Sequence, residues 1–164
     1  MRLFIRLLLV PGVVGWLFGG CSERIEPKPL TYTQLLTGTE KKTWKLVSAQ
    51  IFDEGQSDGV IPVSQLGINP CIADDFCTFY ANAERKFEAS EGPLKCSPTD
   101  PDVYVTDNWT LVNANATLEF YLPLVNDKLP WTIKTLTERV LTIEYYFPDI
   151  DASYRFTLNP TTTR

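Results

Sequence analysis

Four cysteines and no histidine set the chemistry open to this 164-residue chain. Without an imidazole, Ser-His-Asp and Cys-His relays and histidine-ligated zinc are excluded. Most familiar catalysis goes with them, so the sequence reads as a non-enzyme without a cofactor. Cys21 follows Leu17-Phe18-Gly19-Gly20, and small residues running into a cysteine after an apolar run form the pattern of a bacterial lipoprotein cleavage site. Its thiol is expected to form a thioether to a diacylglycerol, with the chain cut just before it. Three cysteines then remain, which in an exported protein points to oxidation rather than metal binding.

Cys71 follows Asn69-Pro70 and Cys96 follows Gly92-Pro93-Leu94-Lys95, so both lie in turn-rich segments flanking one hairpin. Cys77 lies inside a strand pattern on the face of Phe79. Cys71 with Cys96 is therefore the natural staple; the alternatives are Cys77 with Cys96, or no bridge. An unpaired Cys77 reads as a small buried hydrophobe, since no histidine or cation lies near it in sequence to lower its pKa.

The acidic pairs Asp74-Asp75, Asp100-x-Asp102 and Asp149-x-Asp151 offer oxygen ligands. None has the glycine and distal glutamate of a calcium loop, and they read as exposed acidic turns with no metal. Asn108-x-Thr110 and Asn115-x-Thr117 match a glycosylation acceptor that is usually idle in a bacterium. The aromatic residues leave two readings open. Trp44, Trp109 and Trp131 each open a strand pattern, and Phe79, Phe120 and Tyr145 fall on other candidate inward rows. Such rings either pack a small β core or line a pocket for an apolar or amphipathic molecule.

The elements that must position these residues begin after the leader. Arg2 and Arg6 precede the apolar stretch Leu7 to Phe18, the order of a secretory signal. That stretch is shorter than the roughly 20 residues a spanning helix needs. Residues 1–20 are thus expected to be a signal peptide and 21–29, rich in proline and charge, a lipidated tether. Residues 30–164 form one domain, large enough for a single core. Without the leader, thirteen Lys and Arg stand against twenty Asp and Glu, a net charge of −7. That sign argues against nucleic acid as a partner; the expected partner is the membrane, through the lipid.

Thr31 to Leu36, closed by Gly38, predicts a helical turn with a threonine cap and a glycine stop. From Thr43 the pattern has period two. Trp44, Leu46 and Ser48 alternate with Lys45, Val47 and Ala49, and similar runs recur at 76–80, 85–89, 109–112, 118–122, 131–135, 140–147 and 153–158. Short linkers force antiparallel neighbours, so about eight strands form an up-and-down meander. It either closes or stacks as a sandwich. Closure is favoured because it removes exposed edges. In the last three strands Trp131 and Ile133, then Leu141, Ile143, Tyr145 and Phe147, then Tyr154, Phe156 and Leu158 form the inward rows.

The chain resembles the lipocalin-like lipoproteins of Bacteroidetes over most of residues 30–159. The matching features are Leu35-Leu36-Thr37-Gly38 with Lys42-Thr43-Trp44-Lys45-Leu46, similar to the lipocalin Gly-x-Trp region, and Cys71-x-x-Asp74-Asp75 with Phe79. Cys96, Asn108-Trp109-Thr110-Leu111 and the stretch from Ile133 to Leu141 complete the likeness. Gly38 and Trp44 stand six positions apart, and Asn82-Ala83-Glu84 replaces the Asn-Gly turn, which implies a longer loop there. The resemblance implies a lipocalin-like barrel on the outer membrane, periplasmic or surface-exposed, with no common ligand or activity across the family.

Overall fold

The capping signals at the start of the domain have a direct structural outcome. In the computed structural model, which describes residues 28–57 and 59–161, helix α1 spans Tyr32–Thr37. Thr31 and Gln34 form a reciprocal capping box, and Gly38, at φ +65°, ends the helix where a side chain would be strained. The cleavage pattern at Cys21 and most of the tether lie outside the described residues. Among the described residues no helix is long and apolar enough to cross a membrane.

The strands are β1 (Lys41–Asp53), β2 (Ile61–Pro62), β3 (Phe76–Tyr80), β4 (Lys86–Ser90), β5 (Val103–Asn108), β6 (Thr110–Val112), β7 (Thr117–Leu122), β8 (Asp127–Leu136), β9 (Leu141–Phe147) and β10 (Ala152–Pro160). A second helix, α2, spans Pro70–Ala73. All pairings are antiparallel, in the order β5-β4-β3-β1-β10-β9-β8-β7-β6, with the short β2 beside β1. The two ends of this sheet, β5 and β6, are consecutive in the chain and separated by Trp109 alone. One bent strand therefore pairs with β4 in its first half and β7 in its second. Counted so, eight strands nearly close into a barrel, the meander that the alternation predicts.

The seam is filled by specific contacts. Trp109 is 1% exposed, its amide donates to the Arg85 carbonyl at 2.9 Å, and Lys128 of β8 reaches Asp107 at 2.9 Å and the Asn108 carbonyl at 2.7 Å. Residues 103–108 are a strand absent from the runs read in the sequence, although Val103-Tyr104-Val105-Thr106 are strand formers. β1 also departs from simple alternation. Leu46 pairs with Leu158 but Ser48 with Thr157, so Val47 is an extra, bulged residue. The bulge reverses the faces beyond it, turning Ala49, 3% exposed, inward instead of Ser48.

The register gives the barrel two unlike ends. At one end α1 packs against β1, β3 and β8, and Trp44 donates from its indole nitrogen to the Leu36 carbonyl at 2.9 Å. At the other end lie the β9–β10 turn, the β7–β8 turn, the long β4–β5 connection, and the segment between β1 and β3 that carries α2. The inward rows follow this polarity. Leu141, Ile143, Phe156 and Leu158 are at most 2% exposed, whereas Tyr145, Phe147 and Tyr154, nearer the loop end, are only partly buried.

Candidate functional site

The loop end is held by one covalent tie and three polar ones. Cys71 of α2 is bridged to Cys96 in the β4–β5 connection, across 25 positions; the Cys77 alternative is thereby excluded. Just after α2, the Asp74 carboxylate accepts from the Leu94 amide at 2.9 Å, and Asp75 accepts from the Gly92 amide at 3.2 Å and the Tyr104 hydroxyl at 2.6 Å. Gly92 lies so close to Asp74 that an added Cβ would come within 2.4 Å of its backbone and carboxylate. Burial, opposed by the Tyr104 and Gly92 hydrogen bonds, raises the Asp75 pKa, with Glu91 and Asp74 adding like-charge repulsion. Cys77 is free and buried, and burial pushes its thiol up to about 12. A thiol so protonated is a poor nucleophile.

The six aromatics singled out by sequence have separate fates. Phe79, Trp109, Phe120, Trp131 and Tyr145 join one ring-to-ring chain, with centroids 6.3 Å apart for Phe79–Trp109, 5.1 Å for Phe79–Phe120, 6.2 Å for Phe120–Trp131 and 5.7 Å for Trp131–Tyr145. Trp44 sits at the helix end, under α1, with the Lys42 ammonium 4.5 Å from its ring. All but Tyr145 are 0–1% exposed, and the middle of the barrel is filled by side chains. Phe87, which the sequence reading left out of this set, packs on both Phe79 and Phe120. The Trp131 indole nitrogen is buried without a hydrogen-bond partner.

An apolar pocket of about 230 Å³ opens beyond this packed layer, at the loop end. Ala49 and Ile51 of β1 and Tyr154 and Phe156 of β10 form its wall. Leu66 and Ile68, between β2 and α2, and Leu124 and Val125, in the β7–β8 turn, form its rim. The pocket exists because the bulge at Val47 presents small Ala49 to the interior, and because the two rim segments carry apolar side chains in turns. α2 packs against the 63–65 turn on one side and the 123–125 turn on the other, bracing both parts of the rim. None of the six predicted aromatics lines this pocket; Phe156, which packs on Trp131 at 5.7 Å, links the two regions. Among the described residues, no group of three metal-ligating side chains is placed to hold an ion.

Fold and site together define an antiparallel β-barrel with a filled centre, a helix-plugged end and a disulfide-fastened loop end bearing an apolar pocket. Comparison of the chain with protein-family models and with curated proteins finds no match.

Proposed function

We propose that this chain is a lipid-anchored protein of the bacterial cell envelope, lipocalin-like in architecture, that holds a small apolar molecule at the loop end of its barrel. The observation that carries the ligand reading is the pocket of about 230 Å³ walled by Ala49, Ile51, Tyr154 and Phe156. The fold alone hosts many functions; an apolar recess at the mouth of a barrel is a common place for a ligand. Its volume lies below the roughly 300–1,000 Å³ of drug-sized sites, which suits a single unbranched chain or one small ring. The anchor reading rests on Leu17-Phe18-Gly19-Gly20-Cys21 and the cationic-then-apolar leader.

A second reading, a filled barrel acting as an interaction module in the envelope, is favoured by the packed rings of Phe79, Trp109, Phe120 and Trp131. Titration of an environment-sensitive lipid probe separates the two. Binding that is lost in Leu124→Arg, with unchanged urea melts, supports the pocket. A stable wild type that binds no apolar probe leaves the interaction module.

A further inference from the structure

The inward row of β1 changes character as it leaves the barrel. Past the bulge it runs Ala49, Ile51, Asp53, and Ile51 belongs to two adjoining recesses. One is the apolar pocket. The other, of about 420 Å³, is lined by Asp53, Glu54, Gln56, Gly59 and Ile61 together with Ile51. Asp53 pairs with Ala152, the first residue of β10. Among the described residues no Lys or Arg lines either recess. The nearest cation along β10, Arg155, lies on the outer face. There it is engaged by Glu144 at 2.6 Å and lies over the Phe52 ring at 4.5 Å.

We infer that the loop end takes a free, single-chain cationic amphiphile, its hydrocarbon in the apolar pocket and its ammonium group beside Asp53 and Glu54. This rests on the ligand-binding reading above and adds the chemistry of the ligand. An alkyl chain seated against Ile51 emerges at the acidic recess, so its polar end meets two carboxylates and no compensating cation. A fatty acid of the same length would set like charges side by side, whereas an amine gains from the local field. A two-chain lipid does not fit a pocket of this size.

Calorimetric titration of the full chain carrying Cys21→Ser, which bears no acyl groups, with octylamine, octanol and octanoate tests the inference. Octylamine is expected to bind about tenfold tighter than octanoate at low salt, the scale of two partly exposed charge contacts, with octanol between them. High salt should narrow the gap. The variant Asp53→Asn with Glu54→Gln should close it while leaving octanol binding unchanged. If all three ligands bind alike, or octanoate binds best, the cationic-ligand inference is overturned and the apolar pocket stands. An amine preference that survives the double variant also overturns it, by showing that the amine binds elsewhere. If none of the three binds, the ligand-binding reading itself fails and takes the inference with it.

Discussion

The indole nitrogen of Trp109 donates to the carbonyl of Tyr80 at 3.0 Å, which ties the single residue between the sheet's two ends to β3, two strands away from β5. Trp131 is equally buried, and its indole nitrogen has no partner. The two tryptophans thus fill similar volume with opposite polar accounts.

Replacing each by phenylalanine isolates that difference. Trp109→Phe loses a buried hydrogen bond, whereas Trp131→Phe removes an orphaned donor, so the first should be more destabilising by about 1–3 kcal/mol. Urea melts of the two variants measure it. Equal losses would mean that the Trp109 hydrogen bond contributes nothing at the seam.

The bridge between Cys71 and Cys96 closes a loop spanning 25 positions around the β3–β4 hairpin. In the chain-entropy account, Cys71→Ser with Cys96→Ser should lower stability by about 3–4 kcal/mol. Non-reducing peptide mapping should recover Cys71 linked to Cys96. Cys77, buried with its thiol pushed to about 12, should resist alkylation until the protein unfolds.

Asp75 gives a pH dependence with a definite sign. Its folded pKa is raised above the ordinary 3.8, chiefly by burial. The folded state therefore binds this proton more tightly than the unfolded chain. The stability it contributes is fully present below about pH 3.8 and is lost as pH rises through the raised folded value. Asp75→Asn lacks this loss. Measured against wild type in urea melts, the variant should fare better at pH 7 than at pH 3.5, whatever its constant cost from weaker contacts to Gly92 and Tyr104.

The anchor has its own test. Cys21→Ser should leave the protein unlipidated and absent from the detergent phase of the membrane fraction. Unchanged partitioning of the variant would contradict lipidation at Cys21.

Much of this architecture is legible from local signals. Thr31 and Gly38 mark α1 because caps act within one turn, and the inward rows of β8 to β10 follow from period two. The Cys71–Cys96 tie follows from two turn segments flanking one hairpin. Other features escape because their cause is not local. The bulge at Val47 adds one residue without altering composition, so the alternation from Trp44 misplaces Ala49. β5 ends in Asp107-Asn108, poor strand formers that interrupt the run between Val103-Tyr104-Val105-Thr106 and Trp109, and pairing with β4 carries the strand through them. The pocket is built from four segments far apart in sequence. Its one advance signal was apolar side chains inside turns, at Leu66, Ile68, Leu124 and Val125.

The central claim is that a small apolar molecule binds at the loop end and not among the core rings. Amide chemical-shift mapping with octanol tests it most directly. The account predicts shifts concentrated at Ile51, Leu66, Val125 and Tyr154, with Phe79, Trp109 and Phe120 undisturbed. Shifts centred on those three rings, or none anywhere at saturating octanol, would contradict it.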